Sequence, residues 1–152
     1  MIELLRESTW LYPMVQVAHI AGFVLLAGAA MLFDLRVLGI TSTRGDAPVA
    51  IRPLGLHVLP WSLVAALLVV PTGVLMFVVD ADALIGNRAF VLKIGLLALA
   101  AGNAIAFHLG AGRHWAGWTQ PDSVPAGAKL HAAASLFLWI AIIGCGRMIA
   151  YV

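Results

Sequence analysis

Histidine is the residue type in this chain that is best suited to chemistry, and five histidines occur among its 152 residues. Three of them, His57, His108 and His131, lie close to the ends of long apolar segments. Helical rise places all three at a similar depth, within about 3–5 Å of one face of a membrane. Neutral imidazole is a good iron ligand, so two such histidines on facing helices could hold a haem. Alternatively, each of these histidines reaches the water at the lipid headgroups.

A second group of polar residues lies towards the opposite face. His19 is about 22 Å from the first face by helical rise, too deep to reach water easily. Lys93 and Arg147 lie in the same half of the chain's apolar segments, together with Gln16. Their side chains could bind an anion, such as a haem propionate, a quinone headgroup or a carboxylate substrate. Alternatively, the two basic side chains extend to the interface, as they do near helix ends.

The composition is that of a membrane protein. Hydrophobic residues make up 62% of the chain and charged residues 11%, and the mean hydropathy is +1.01. Soluble domains average about 45–50% apolar and about 25% charged residues, so this chain could not cover itself with polar surface. The net charge of +2, without a basic cluster, gives no support to nucleic acid as a partner. The single cysteine, Cys145, excludes an internal disulfide.

Four apolar segments are predicted to cross the bilayer, at about 13–35, 54–79, 89–110 and 129–151. Each is long enough to span a hydrocarbon core of about 30 Å as a helix. Short connections make neighbouring helices antiparallel, so the predicted fold is all-α, a single four-helix up-and-down transmembrane bundle over residues 1–152. Residues 2–8 mix leucines with charged residues and are predicted to form a short interfacial helix. The bilayer is the expected partner. The helix faces of small residues are also compatible with a homo-oligomer.

The two longer connections lie on the face that carries His57, His108 and His131. Basic residues in and beside these connections slightly outnumber those of the opposite face, which predicts that the longer connections are cytoplasmic. Trp115 and Trp118, in the second connection, are predicted to lie at the membrane surface. The first apolar segment is too long for a signal-peptide core, so we expect an uncleaved span.

Three segments resemble a family of short bacterial four-span membrane proteins of unknown function. They are AHIAGFVLLAGAAMLFDLRVLG at 18–39, NRAFVLKIGLLALAAGNAIAFH at 87–108 and SLFLWIAIIGCGRMIAY at 135–151. The elements DLR-LG, NRAF--K and GR-IAY within them carry the resemblance. It implies the four-span fold and supplies no activity.

The layout is also similar, more loosely, to the membrane cytochrome b subunits of formate dehydrogenases and related b-type cytochromes. Those bundles place axial histidines on spans one, two and four, two of them on the fourth. The resemblance implies that His57 and His131 hold one haem and that His19 holds a second haem. Cys145 stands where the second histidine of span four would be, so the second haem would be five-coordinate, thiolate-ligated or absent. His108 is the rival ligand for the first haem because its depth matches.

The expected function is that of a b-type haem protein of the bacterial inner membrane, with one or two haem b groups. It would carry electrons to or from a quinone or a redox partner protein. The expected iron ligands are His57, His131 and His19, and the wider set of cofactor-binding candidates adds His108 and Arg147. A small-molecule or metal-ion transporter, with the histidines and Cys145 as transient ligands, is an alternative. A non-catalytic membrane partner subunit is a third hypothesis.

Overall fold

A computed structural model describes residues 8–40, 51–118 and 121–151. Its α-helices are α1 (Leu11–Val37), α2 (Ile51–Val79), α3 (Ala81–Ile85), α4 (Arg88–Leu109) and α5 (Ala126–Met148). Two 3₁₀ turns, Trp115–Gly117 and Pro121–Ser123, lie in the connection between α4 and α5. The described residues contain no strand.

The predicted all-α fold of four long apolar helices is confirmed. The four helices α1, α2, α4 and α5 are each long and apolar enough to cross a membrane, which makes the chain a multi-pass membrane protein. Their ends lie within a few residues of the predicted ones; α2, for example, begins at Ile51 instead of residue 54. The predicted interfacial helix falls on residues 2–8, of which only Ser8 lies within the described residues.

Two prolines lie inside α2 without ending it. Pro60 and Pro71 lack the N–H group that an interior helical position normally donates. Next to the second proline, the Thr72 hydroxyl donates to the Leu68 carbonyl at 2.6 Å and lies 3.1 Å from the Val69 carbonyl. These bonds hold the Thr72 side chain against its own helix beside Pro71. Membrane helices tolerate proline because side chains, neighbouring helices and local adjustments satisfy the freed backbone groups.

The helices are arranged in the order α2, α1, α5, α4. Helix α1 packs against both α2 and α5, and α4 packs against α5. Close approach between α1 and α2 depends on glycine, since a Cβ on Gly22 would lie 2.9 Å from the Val69 side chain. Helices α2 and α4 meet beside the short α3, where Phe77 and Phe90 stack with their ring centres 5.6 Å apart. Along the rest of their length they make little mutual contact.

The two ends of the bundle differ. We call the end at Val37, Ile51, Leu109 and Ala126 the loop end, and the end marked by α3 the turn end. Buried side chains cluster at the loop end, namely Phe33, Val37, Ile51, Phe107, Trp118, Val124, Ala128 and Ala132. Trp118 is 7% exposed and packs edge-on against Phe107 at 6.2 Å. Its side chain therefore packs inside the protein at the loop end, and the prediction that this connection lies at the membrane surface stays a prediction.

Polar contacts join the helices at the turn end. The Tyr12 hydroxyl donates to the carboxylate of Asp80, which follows α2 directly. Asn87 caps α4 by accepting a hydrogen bond from the Phe90 N–H at 3.0 Å. The same side chain donates to the Ile149 carbonyl at the end of α5, also at 3.0 Å. These bonds join α1 to α2, and α4 to α5, at the turn end.

Candidate intramembrane binding site

A cavity of about 590 Å³ lies between the four long helices, towards the loop end. Its lining comes from one face of each helix, within residues 26–34 of α1, 58–66 of α2, 100–108 of α4 and 131–139 of α5. Within each stretch the lining residues recur at three- and four-residue spacings, which places them on a single helical face. Trp115 completes the wall at the loop end. Most of the lining is apolar, as in small-molecule and cofactor sites.

Asp34 brings a carboxyl group to the cavity wall. It is 8% exposed, and Ser135 of α5 lies beside it on the cavity wall. The carboxyl oxygen Oδ2 has no hydrogen-bond partner among the described residues. An unpaired buried polar atom costs folding free energy, and an ionisable residue at membrane depth is by default a candidate functional residue.

Arg36, two residues further along α1, does not neutralise Asp34. Residues at positions i and i+2 point to different sides of a helix. Arg36 is 1% exposed, and its three guanidinium nitrogens have no hydrogen-bond partner within the described part of the chain. Both charged side chains near the end of α1 are therefore buried in the protein.

A second polar pair joins α4 to α5. The His131 ring nitrogen Nδ1 lies 2.8 Å from Oδ1 of Asn103, and the Asn103 side-chain amide donates to the His131 backbone carbonyl at 3.0 Å. An amide oxygen can only accept, so Nδ1 of this ring carries the proton. The other ring nitrogen, Nε2, then keeps a lone pair that can accept a proton or bind a metal.

The structure brings His108 and His131 to one cavity and leaves His57 outside it. His108 lines the cavity, and the adjacent Phe107 ring lies 6.3 Å from the His131 ring. His57 is exposed on α2 and does not line the cavity. Of the two partners considered for His131 on the basis of depth, His108 is therefore the one that shares its cavity.

His19 lies nearer the turn end, in the contact between α1 and α2. Its Nδ1 lies 3.1 Å from the Val69 carbonyl and 3.0 Å from the Thr72 hydroxyl. A Cβ on Gly73 would lie 3.0 Å from Cε1 of the same ring. The imidazole is thus held tightly against α2, and it does not line the cavity that contains His131.

The remaining predicted site residues lie towards the turn end, outside the cavity. Arg147 is exposed, donates to the Tyr151 hydroxyl and lies over that ring at 4.7 Å. The Lys93 ammonium lies 5.8 Å from the centre of the Phe23 ring. Cys145 is a free, half-buried thiol. Across the described residues, no group of three or more His, Cys, Asp or Glu side chains is placed to hold a metal ion.

The cavity opens sideways between α2 and α4. Leu63 of α2 lines it and is nevertheless 69% exposed. Ala104 of α4 also both lines the cavity and is exposed. We call the space between these two residues the lateral gap. If the helices cross the bilayer as their length and hydropathy indicate, the lateral gap faces lipid.

Asn103 and Asp34 were not among the site residues predicted from the sequence. Asn103 joins α4 to α5 and thereby holds His131 on the cavity wall. Asp34, near the end of α1, faces the cavity. A usable signal was present: Asp34 follows Leu26, Ala30 and Phe33 on one helical face, and such a face buries its members together.

No family model, no curated protein and no solved structure matches this chain. The class of protein is therefore defined by the fold and the site alone. It is a multi-pass helical membrane protein with a cavity between its helices that carries polar groups. The resemblances to the four-span family and to cytochrome b subunits stay predictions.

Proposed function

We propose that this protein binds a lipid-soluble small molecule in its intramembrane cavity, as a carrier or transporter does. The observation that carries the proposal is the cavity of about 590 Å³ together with its lateral gap. Sites for small molecules and cofactors commonly measure about 300–1,000 Å³ and combine apolar walls with a few polar groups. The Asp34–Ser135 and Asn103–His131 pairs would supply those polar groups.

Photolabelling in membranes tests this proposal. A lipophilic aryl diazirine should attach to residues 58–66 and 131–139, and an excess of a non-photoreactive analogue should suppress the labelling because the site is saturable. Ala104→Phe should reduce cavity labelling several-fold by filling the lateral gap. Ala101→Phe is the matched control, because Ala101 is an exposed alanine of the same helix that does not line the cavity. Labelling that cannot be saturated, or that is equal in the two variants, would contradict the proposal.

Haem b is the second candidate occupant, and the geometry of His131 favours it. A metal-binding histidine generally donates its other ring N–H to an oxygen acceptor, which is the role that Asn103 plays here. His131 with His108 would hold the iron from within the cavity, and His57 is the partner that the cytochrome resemblance implies. Bound haem would supply one-electron transfer to a quinone or a partner protein. Haem also carries propionates, and no lysine or arginine lines the cavity to meet them.

An optical spectrum separates the two candidates. If haem is bound, the purified protein should show sharp reduced bands after expression with ample haem. His131→Ala and His108→Ala should each abolish the low-spin signal, while His57→Ala should leave it unchanged. If instead His57→Ala abolishes the signal and His108→Ala leaves it unchanged, the result supports the pair implied by the cytochromes, His57 with His131. A colourless protein, or full signal in His131→Ala, would remove the haem candidate and leave the small-molecule proposal intact.

The proposed location is the bacterial inner membrane, with the loop end in the cytoplasm. Support comes from the basic residues, which at the loop end are Arg36, Arg44, Arg52, Arg113 and Lys129, against Arg6, Arg88, Lys93 and Arg147 at the turn end. A reporter inserted at 41–45 should be cytoplasmic and one at the C-terminus should not. Reporters in the same compartment would contradict the four-span topology.

A further inference from the structure

The cavity wall contains one carboxyl group whose hydrogen-bonding capacity is not fully met. Among the described lining residues, Oδ2 of Asp34 is the buried side-chain atom without a hydrogen-bond partner. Asp34 is 8% exposed, and Ser135 lies beside it on the cavity wall. The Asn103–His131 pair, in contrast, is joined by two hydrogen bonds. The cavity wall therefore lacks a hydrogen-bond donor for Asp34.

The charges of the lining residues indicate that this donor should be a cation. Asp34, His108 and His131 are the ionisable lining residues, and no lysine or arginine is present in the lining. The nearest basic residues on these helices are Arg36, which points to a different side of α1 from Asp34, and Lys129, about 9 Å along α5 from Ser135. Neither lines the cavity. Lys93 and Arg147 lie further away, about 15 Å along α4 from Asn103 and about 18 Å along α5 from Ser135. An ionised Asp34 would thus lack a cation from the lining, and buried charges in proteins are normally paired.

We infer that the cavity selects a lipophilic amine, whose protonated nitrogen donates to the carboxylate of Asp34 while its apolar part packs against the cavity wall. The inference rests on the proposed function, since it names the class of ligand for the same cavity. A protonated amine supplies both the missing donor and the missing positive charge. A charge-assisted hydrogen bond is about twice as strong as a neutral one, so the amine should be preferred over an alcohol of equal shape.

A matched pair of ligands tests the inference, namely 4-phenylbutylamine and 4-phenylbutan-1-ol. Binding is measured by calorimetry on the full-length protein in phosphatidylcholine nanodiscs, with empty nanodiscs subtracted. The amine should bind about tenfold more tightly than the alcohol, or better. Asp34→Asn should remove most of this preference, because the amide keeps the shape and loses the negative charge. Asp82→Asn is the control, since Asp82 is an exposed aspartate outside the cavity.

The outcomes distinguish the inference from the proposal on which it rests. If amine and alcohol bind the native protein equally well, the inference is overturned and the small-molecule proposal stands. If neither ligand binds, both are overturned. Retention of the full amine preference in Asp34→Asn overturns the inference as well. Should Asp34→Asn fail to fold, Ser135→Ala replaces it: we expect weaker amine binding with unchanged alcohol binding, and no change in either would overturn the inference.

Discussion

His19 and His131 are two half-buried histidines on transmembrane helices, and their surroundings differ. His19 lies in the contact between α1 and α2, where the Val69 carbonyl and the Thr72 hydroxyl meet its Nδ1 at 3.1 and 3.0 Å. His131 lies on a cavity wall, where Asn103 holds its Nδ1 at 2.8 Å. Both histidines join two helices through Nδ1, but of the two only His131 lies on the wall of the cavity.

The residues opposite each ring account for the difference. Gly73 faces His19 so closely that a Cβ would lie 3.0 Å from Cε1, which leaves no space for a ligand. Around His131 the helices α2 and α4 do not meet, and the space between them forms the cavity. An intramembrane histidine is a candidate functional residue by default, but the space around it decides between a structural contact and a binding site.

The largest expected effect is at the turn end, where Gly73→Val should destabilise the protein. Added methyl groups would press on the His19 ring, and overpacking of this kind typically costs about 1–3 kcal/mol. Gly95→Val is the control, because a Cβ on Gly95 would meet no atom within 4 Å. Unfolding in a denaturing detergent measures both. Equal stability of the two variants would show that the turn-end contact is looser than described.

A double-mutant cycle distinguishes the two histidines. His19→Ala and Thr72→Val should couple by about 0.6–1.7 kcal/mol, the range found for hydrogen bonds between membrane helices. We expect His19→Ala to lower stability without changing labelling of the cavity, and His131→Ala to change that labelling. If His19→Ala changes the labelling as strongly as His131→Ala does, the separation of the two regions fails.

The smallest expected effect is that of Arg147→Lys. The sequence left open whether Arg147 binds a buried anion or reaches the interface, and the structure places it over the Tyr151 ring, exposed. Lysine can keep a cation–π contact at such a site, so stability should change by less than about 0.5 kcal/mol. Ligand or haem content should not change. A clear loss of either would restore Arg147 as a candidate cofactor-binding residue.

The sequence predicted the four helices well because hydropathy and length determine them. The position of each histidine along its helix also follows from the sequence, whereas its depth in a membrane stays a prediction. The sequence did not predict which way each side chain points around its helix. Val58, Leu59 and Ser62 face the cavity and His57 does not, a rotation that depends on how α2 packs on α1. That packing depends on contacts such as the one at Gly22, which become visible only when both helices are in place.

Fluorine NMR of protein labelled with 5-fluorotryptophan tests the central claim, a saturable binding site inside the bundle, most directly. Trp139 and Trp115 line the cavity, whereas Trp10 and Trp61 are 78% and 56% exposed. On titration with 4-phenylbutan-1-ol in nanodiscs, we expect the resonances of the two cavity tryptophans to shift and saturate. The two exposed tryptophans should change in proportion to the ligand dissolved in the lipid. The same linear response at the two cavity tryptophans and the two exposed ones would contradict the presence of a binding site in the cavity.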